Sequence, residues 1–403
     1  MPVLRNIGQL AACPPDSPQS DAGLIEGAAL AWRGERIEWL GRDGDLPEEF
    51  AREETLDCEA RLVIPGLVDC HTHLCFGGWR SDEFEMRLKG RSYQEIAAAG
   101  GGITSTVKAT RAASAGQLER RASGFLDDML ALGVTTVEAK SGYGLSEDDE
   151  IKQLEVYRRL SRTHRVELVP TFLGAHIIPP GFKDRRDAYV DLLCERLIPR
   201  IAQEGLAEFC DVFVEEGAYT LEEAERILSA AADHGLGLKL HADQLSAGGG
   251  AQLAAKLGAV SAEHLEHIDA DGIGALAASG TVAVSLPLAS MYLREPYLPA
   301  RRLLDAGVAV AVATDFNPGT SPSFHLPLAM LQACLYQGMT PQEVLKGATA
   351  VAARAVSRGE RIGSLQPGFQ ADITIIDAPD LNHWMYHFRA NACHGVVKKG
   401  EWV

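Results

Sequence analysis

Residues 63–78 have the sequence VIPGLVDCHTHLCFGG, in which an apolar run meets a Pro-Gly corner, resumes and ends in two histidines. Alternate residues of a strand point to the same face, so the spacing of His71 and His73 aims both imidazoles at one point. An isolated His-x-His is most often two polar residues beside a turn. Here the preceding strand is apolar enough to be buried and two glycines follow, which favours two nitrogen ligands of one metal ion.

The composition limits the class of protein. The chain has 403 residues, 46% of them hydrophobic, which is enough for a sizeable core and, by length, for more than one domain. A net charge of −17 argues against nucleic acid and against anionic membrane surfaces as partners. The negative charge does not argue against a small anionic substrate, since one local arginine can bind such a molecule.

The eight cysteines are scattered without a Cys-x-x-Cys pair, which indicates reduced thiols in a reducing compartment. Cys70 lies beside His71 but faces the opposite side of the predicted strand, so we expect it in the core. The N-terminus lacks the basic start and apolar run of a secretory signal, and no window reaches the length of a membrane-spanning helix. We therefore expect a soluble, cytoplasmic protein.

From residue 65 onward, apolar strands alternate with amphipathic helical sequence, the pattern of βα units around a parallel sheet. Eight such units are what a closed (β/α)8 barrel requires. The expected strands are residues 62–68, 134–139, 166–172, 209–214, 236–240, 259–263, 282–286 and 308–313. The expected helices include residues 93–99, residues 109–132, and a helix from Pro341 to about residue 356 with Thr340 as its N-cap.

Both ends of the chain have short strand-and-turn segments. Residues 24–41 form a predicted hairpin around a turn at residues 33–35, and residues 362–403 return to the same kind of sequence. Neither end is long enough for a core of its own. The predicted fold class is therefore α/β: a (β/α)8 TIM-like barrel over residues 65–359 with a small, discontinuous β-sandwich domain built from residues 1–64 and 360–403.

A barrel of this kind carries its active-site residues at the carboxyl ends of its strands, and seven of the eight predicted strands end in polar residues. Among these, His71, His73, His241 and Asp315 offer three imidazoles and one carboxylate, a set that suits Zn²⁺ or Fe²⁺. A divalent ion lowers the pKa of water and so supplies a nucleophile near neutral pH. Asp315 is placed to accept the proton of that water. We expect His264, on the next strand after His241, to hydrogen-bond the attacked oxygen or to shuttle a proton.

Longer motifs give the chain a family resemblance. It resembles the amidohydrolase superfamily in PGLVDCHTH (65–73) and GFQADI (368–373), together with His241 and Asp315. Within that superfamily it resembles the imidazolonepropionase family in longer stretches. These are FGGWR (76–80), YQEI (93–96), AGGGI (99–103), EAKSGYG (138–144), TFLGAH (171–176) and TDFNPGT (314–320). The resemblance spans nearly the whole chain and implies hydrolysis of the cyclic amide C–N bond of 4-imidazolone-5-propanoate to N-formimidoyl-L-glutamate, in histidine degradation.

The resemblance also implies roles for single residues. It matches the four metal-ligand candidates to the family's ligands, and it implies a homodimer. Arg80 matches the residue that binds the substrate's propionate, for which a guanidinium fork is the right partner. The family's ring-lining residues match Tyr143 and His176, and its loop around substrate or product polar atoms matches Asn317, Gly319 and Thr320.

Two positions depart from a simple transfer of family roles. Gln244 stands where some members carry a glutamate proposed as a proton carrier, and a glutamine cannot do that work. We therefore expect Gln244 to orient the ring by hydrogen bonds, with Asp315 and His264 as the acid and base. Binuclear amidohydrolases use a modified lysine on the fourth strand, whereas Lys140 ends the second, so we expect one divalent metal ion per chain, Zn or Fe. Lys140 is then either a structural cation or one that neutralises the substrate.

Two other functions fit parts of the pattern. A related amidohydrolase acting as a heterocycle deaminase shares the metal set, but such enzymes usually have a glutamate at the position of Gln244, and Arg80 has no obvious role there. A non-catalytic binding protein on the same fold would be marked by lost ligands, and all four are present.

Overall fold

Strands of two separate sheets alternate with helices in the computed structural model, which describes residues 2–91, 95 and 101–403. In chain order the strands are β1 (Pro2–Ala11), β2 (Leu24–Arg33), β3 (Arg36–Arg42), β4 (Glu54–Asp57), β5 (Leu62–Pro65), β6 (Leu67–Asp69), β7 (Val134–Lys140), β8 (Glu167–Ala175), β9 (Phe209–Phe213), β10 (Gly237–Ala242), β11 (Ser261–His264), β12 (Val282–Ser285), β13 (Val310–Val312), β14 (Ile373–Ile376), β15 (Cys393–Lys398) and β16 (Glu401–Trp402).

Eight parallel strands, β6 to β13, lie side by side in their order along the chain. The first and last strands approach each other just beyond their carboxyl ends, where the N–H of His73 donates to the carbonyl oxygen of Phe316 over 2.8 Å. All eight predicted strands are present, and the (β/α)8 barrel is confirmed. The third strand extends three residues further than predicted, to Ala175.

The second sheet combines both ends of the chain. Its order is β16-β15-β14-β5-β1-β2-β3, with β4 beside β1, so strands from the C-terminus pair with strands from the N-terminus through β14 and β5. The predicted hairpin is formed by β2 and β3. The Pro-Gly corner moves the chain from this sheet into the barrel: β5 ends at Pro65 and β6 begins at Leu67. Gly66 is required there because a Cβ would collide with Thr135.

Helices follow the barrel strands and cover the outside of the ring, and a last helix follows β14 of the second sheet. They are α1 (Ser81–Leu88), α2 (Ile103–Ala112), α3 (Ala115–Ala131), α4 (Glu147–Thr163), α5 (Arg186–Leu192), α6 (Ile198–Glu204), α7 (Leu221–Asp233), α8 (Gly250–Lys256), α9 (Ala270–Ser279), α10 (Pro287–Leu293), α11 (Ala300–Asp305), α12 (Leu326–Gln337), α13 (Pro341–Gly347), α14 (Ala350–Ala355) and α15 (Leu381–Tyr386). No helix in the described ranges is both long and apolar enough to cross a bilayer.

Two predicted helices are interrupted. The helix predicted over residues 109–132 is wrong as a single element, because Ser114 forms a capping box with Gln117 and starts α3 anew after α2. The helix predicted from Pro341 does begin there, with Thr340 as its cap, but ends at Gly347 and resumes as α14. The helix predicted over residues 93–99 falls, except for Glu95, outside the described residues.

Candidate active site

Three of the predicted metal ligands converge at the closure of the barrel. The Nε2 atoms of His71 and His73 are 3.3 Å apart, and each lies 3.3 Å from Oδ1 of Asp315. All three side chains are buried. These residues meet because His71 and His73 follow β6 while Asp315 follows β13, the two strands that close the ring.

The spacing of these three atoms fits a shared ion. Ligands bound tetrahedrally to zinc at about 2.0–2.1 Å are separated from one another by about 3.3 Å. The donor set of imidazole nitrogen and carboxylate oxygen is one that zinc and iron accept. The same three residues form a group of potential metal ligands within reach of one another. This arrangement fits the metal ion that the sequence motifs imply.

His241 supplies the fourth predicted ligand from β10. Its ring lies 4.6 Å from that of His71 and 5.5 Å from that of His73, centroid to centroid. Its Nε2 is buried and has no hydrogen-bond partner among the described residues. A buried, unpartnered nitrogen is costly unless something binds it, and a metal ion would do so.

Burial and charge set the protonation of these groups. Burial lowers the pKa of His73 to about 3 and that of His241 well below its ordinary value, so both rings are neutral, the form that binds a metal. Burial also opposes a proton on His71, but Glu263 and Asp315 outweigh it and raise that pKa to about 9. Despite its burial, Asp315 has a pKa well below the ordinary value, because His71 and His73 hydrogen-bond it. A cation at this site therefore competes with a proton on His71.

Two carboxylates lie beside the Nδ1 atoms of His71 and His241, at the ring edges opposite the Nε2 atoms. Glu263 Oε2 is 2.6 Å from Nδ1 of His71, and Asp211 Oδ2 is 2.9 Å from Nδ1 of His241. A neutral imidazole with its proton on Nδ1 turns that proton toward the carboxylate and leaves the Nε2 lone pair free for a metal.

Lys140 lies at the centre of these carboxylates. Its Nζ is 2.8 Å from Glu138 Oε1, 2.8 Å from Asp211 Oδ2 and 2.9 Å from Glu263 Oε2, and its side chain is fully buried. These neighbours overcome the effect of burial and hold the pKa of Lys140 well above its ordinary value. Of the two roles left open by the sequence, the structural cation is the one that this position allows.

The predicted ring-lining residues lie beside His73. His176 stacks on the His73 ring at 5.4 Å, and Tyr143 lies 5.4 Å from His176 and 6.0 Å from His73. Burial lowers the pKa of His176 to about 3, so its ring is neutral. Its Nδ1 is 3.1 Å from the carbonyl oxygen of Gly142. The structure thus brings a neutral imidazole and a phenol together at one side of the metal-ligand cluster.

Arg80 meets the loop of residues 317–320. Its guanidinium lies so close to Gly319 that a Cβ at that position would overlap it. The side chain is 7% exposed, and its Nε has no hydrogen-bond partner among the described residues. Glu83 is the nearest carboxylate, with Oε2 4.0 Å from Nη1. A buried guanidinium with an unused N–H is suited to an anionic ligand.

Asn317 organises that loop from within. Its Oδ1 accepts hydrogen bonds from the N–H groups of Gly319 and Thr320, at 2.8 and 2.7 Å, and its Nδ2 donates to the Asp315 carbonyl oxygen. Arg87 of α1 donates to the carbonyl oxygen of Gly319 over 2.7 Å. The loop is therefore tied both to Asp315 and to the helix that follows Arg80.

Gln244 is half-buried in the loop after β10. The loop is fixed on both sides of it: Asp243 accepts hydrogen bonds from the N–H groups of Gly248 and Ala251, and Glu215 accepts one from Leu245. Glu215, at the end of the fourth strand, therefore binds this loop.

His264 is buried, with its ring 5.3 Å from that of His241 and its Nδ1 unpartnered among the described residues.

Three residues at the carboxyl ends of barrel strands have a strained backbone. Asp243, His264 and Asp315 have φ values of 50°, 76° and 54°, in the left-handed region that residues with a Cβ rarely adopt. Each such residue costs about 1–3 kcal/mol and persists where the surroundings fix it, most often at functional sites.

The sequence interpretation assigned no role to Asp211 or Glu263. A signal for each was present, because Asp211 is a charged residue inside an apolar strand, and a charge in such a place needs a partner. Lys239, inside β10, is a third example and lies 3.2 Å from Glu263. Which charges pair depends on the order and depth of the strands, and single-strand patterns do not contain that information.

Comparison with known proteins gives consistent matches. The sequence profile of the amidohydrolase family matches residues 62–403. The imidazolonepropionase of Shouchella clausii is 47% identical over 388 residues, covering 95% of this chain and 87% of the relative. That of Treponema denticola is 48% identical over 91% of this chain and 89% of its own. That of Parabacteroides distasonis is 44% identical over 99% of this chain and 98% of its own.

Solved structures share the fold at low sequence identity. A triazine hydrolase variant has a TM-score of 0.77 at 17% identity, covering 100% of this chain and 94% of that one. An adenosine deaminase from Xanthomonas campestris, with bound zinc, has a TM-score of 0.67 at 20% identity, covering 100% and 92%. These likenesses support the architecture of a barrel with a second sheet.

Proposed function

Because this chain belongs to the amidohydrolase family, and to the imidazolonepropionases within it, we propose that it hydrolyses 4-imidazolone-5-propanoate to N-formimidoyl-L-glutamate in the degradation of L-histidine. The observation behind this function is the identity of 47% to an imidazolonepropionase over 95% of the chain. The site adds a chemical reason, since the 317–320 loop contacts both a buried guanidinium, at Gly319, and a residue of the metal-ligand cluster, through the bond from Asn317 to the Asp315 carbonyl oxygen.

The metal site consists of His71, His73, His241 and Asp315. Its support is the 3.3 Å spacing of three donor atoms and the unpartnered Nε2 of His241. These residues would hold a divalent ion, Zn or Fe, which would supply Lewis-acid polarisation of the ring carbonyl and a lowered pKa of water. The chain's own residues then bind the substrate, orient its ring and move protons.

Arg80 binds the propionate. Its side chain is little exposed and its Nε has no hydrogen-bond partner among the described residues. Because the side chain is already held in place, binding of the substrate carboxylate costs little further conformational entropy. Asn317, Gly319 and Thr320 form the wall beside this guanidinium and offer polar backbone and side-chain atoms to the substrate. The distance between the anchored carboxylate and the ring then selects a side chain of propionate length.

Tyr143, His176 and Gln244 orient the ring. His176 is neutral, and its single N–H is at Nδ1, which donates to the Gly142 carbonyl oxygen over 3.1 Å, so Nε2 is left to accept a hydrogen bond from the ring N–H of the substrate. Gln244 offers both a donor and an acceptor on one amide. Neither residue carries the proton that hydrolysis transfers.

Asp315 and His264 handle the proton and the developing charge. Water adds to the ring carbonyl carbon, and its proton passes to the Asp315 carboxylate, which the neighbouring histidines keep ionised. His264 donates to the oxygen on which negative charge accumulates. The C–N bond then breaks, the proton moves from Asp315 to the leaving ring nitrogen, and a carboxylate and a formimidoyl group result.

The proposal extends to assembly, location and domains. We propose a cytoplasmic homodimer, in which residues 65–359 form the barrel domain and residues 1–64 with 360–403 form the second domain. The pairing of β5 with β14 supports the discontinuous domain. Light scattering of the purified protein tests the dimer, and a monodisperse monomer would contradict it.

The function is tested by generating imidazolonepropanoate in situ with urocanase and adding the purified protein. Loss of the imidazolone absorbance, with formimidoylglutamate appearing, is expected, and Arg80→Ala should be much slower at low substrate. Decay no faster than the spontaneous rate, in protein with its metal bound, would contradict the proposal and direct attention to heterocyclic amines as substrates.

A further inference from the structure

Lys140 lies fully buried at the end of β7, and its three N–H bonds are matched by three carboxylates, Glu138, Asp211 and Glu263. Its own carbonyl oxygen accepts a hydrogen bond from Tyr157. A role in binding the propionate is therefore excluded by position, and the reason for a lysine here lies elsewhere.

The oxygens that contact Lys140 also contact the metal-ligand histidines. Glu263 Oε2 is 2.9 Å from Lys140 Nζ and 2.6 Å from His71 Nδ1. In the same way, Asp211 Oδ2 is 2.8 Å from Lys140 Nζ and 2.9 Å from His241 Nδ1. One ammonium group thus links two histidine–carboxylate pairs from different strands of the barrel, and Glu263 Oε2 also lies 3.7 Å from His241 Nδ1.

We propose that Lys140 is a positioning residue for the metal, which fixes Asp211 and Glu263 so that His71 and His241 turn their Nε2 atoms to the same ion. This inference rests on the metal site proposed above. Without the Lys140 ammonium, the carboxylate of Asp211 or Glu263 would rotate or take a proton. Either change would allow the histidine ring in contact with it to turn away from the metal. Partners of metal-ligating histidines typically account for about 10–100-fold in metal affinity.

Electrostatic attraction alone predicts that removing the charge of Lys140 would increase the affinity for metal, not decrease it. Removing a buried positive charge near a site for a divalent cation leaves that site more negative, so Coulomb attraction alone would tighten metal binding. A positioning role predicts weaker binding in spite of that added attraction. The direction of the change therefore distinguishes the two effects.

Lys239 provides a matched control. It is also fully buried and contacts the other oxygen of Glu263, Oε1, at 3.2 Å. It also contacts Ser261 Oγ at 2.9 Å and the Ala355 carbonyl oxygen at 2.8 Å, and its Nζ lies 5.2 Å from the centre of the Phe209 ring. Lys239→Met removes the same charge as Lys140→Met, but from an oxygen that no histidine contacts.

The test compares metal binding by the two variants and the wild type, after removal of bound metal and confirmation of the fold by circular dichroism. Zn²⁺ affinity is measured by competition with a chromogenic chelator, and the visible spectrum of the Co²⁺ form reports ligand geometry. We expect Lys140→Met to bind Zn²⁺ about 10–100-fold more weakly and to alter the Co²⁺ spectrum. Lys239→Met should bind Zn²⁺ as tightly as the wild type or more tightly, with an unchanged spectrum.

A second variant covers the case in which Lys140→Met fails to fold. Glu138→Gln with Lys140→Met removes one positive and one negative charge together, so the net charge of the cluster is kept while the link to Asp211 and Glu263 is still lost. Weaker Zn²⁺ binding in this double variant supports the proposal. Unchanged or tighter binding in either Lys140 variant, or equal weakening in Lys239→Met, overturns it. A wild type that fails to bind one equivalent of Zn²⁺ would instead overturn the metal site itself.

Discussion

The backbone N–H of Asp315 donates a hydrogen bond to the carbonyl oxygen of His71 over 3.0 Å. These residues follow the eighth and first strands of the barrel, so the contact that brings the ends of the ring together also sets two metal-ligand candidates side by side. The site is therefore assembled by closure of the barrel, and its geometry depends on the whole ring being folded.

Gly319→Ala should weaken substrate binding without unfolding the protein. The added Cβ would overlap the Arg80 guanidinium, the far end of a flexible side chain, which can move away. We expect KM to rise about tenfold or more, with a smaller change in kcat, because displacement of the carboxylate anchor weakens ground-state and transition-state binding alike. Steady-state kinetics at saturating metal measures this, and an unchanged KM would contradict the contact.

Gly124→Ala is the matched control for that substitution. Gly124 lies in α3, is exposed, and a Cβ there would meet nothing within 4 Å. The same change of side chain should leave KM unaltered and raise the free energy of unfolding by about 0.5–1 kcal/mol, because alanine favours a helix more than glycine does. Urea denaturation measures the second effect.

Arg80→Lys should lower kcat/KM although it keeps the positive charge. A lysine ammonium cannot form the two parallel hydrogen bonds that a guanidinium makes with a carboxylate. We expect a loss of about 1.5–3 kcal/mol in transition-state stabilisation, the range for a hydrogen bond to a charged group, seen mostly in KM. Kinetics indistinguishable from those of the wild type would show that charge alone suffices.

Asp315→Asn should abolish most of the turnover. The amide keeps the size of the carboxylate but neither accepts a proton nor contributes negative charge to the cation site. Loss of the proton acceptor alone is expected to reduce kcat about 10²–10⁴-fold. Metal content, measured by elemental analysis beside kcat, separates lost binding from lost proton transfer. A variant within tenfold of the wild type would remove Asp315 from the proton path.

Glu167 should stabilise the fold in a pH-dependent way. Burial opposes its charge, but Lys398, Arg361 and Arg358 outweigh that and lower its pKa below the ordinary 4.5. A carboxyl whose folded pKa is depressed contributes stability above its unfolded pKa and loses it as the pH falls through the folded value. Glu167→Gln should therefore be less stable by about 1–3 kcal/mol at pH 7. The difference from the wild type should shrink below pH 4.5, as measured by urea denaturation, and a constant difference would contradict the charge pairing.

Sequence patterns predicted the barrel because most of its strands contain buried apolar residues in a short run, and such a run is visible without knowledge of its neighbours. His71, His73, His241 and Asp315 were found by the same route, since they lie at or just beyond the ends of those runs. The corner at Gly66 was visible too, although only the structure shows that it joins two different sheets.

The remaining features depend on contacts between distant segments. Lys140 was recognised as a charged strand-end residue, but its role was undecided because Asp211 and Glu263 lie on other strands, and nothing local shows that all three meet. The break between α2 and α3 was missed for a different reason. Ser114 and Gln117 form a capping box inside a segment whose apolar periodicity continues across it, so the periodicity alone does not show the break.

We propose that hydrolysis requires one metal ion, held by His71, His73, His241 and Asp315. A titration of the metal-free protein with Zn²⁺ or, under anaerobic conditions, Fe²⁺, while turnover of imidazolonepropanoate is followed, tests this requirement. We expect no turnover before metal is added, and a linear return that reaches its plateau at one equivalent per chain. Full turnover of the metal-free protein, or a plateau at two equivalents, would contradict it.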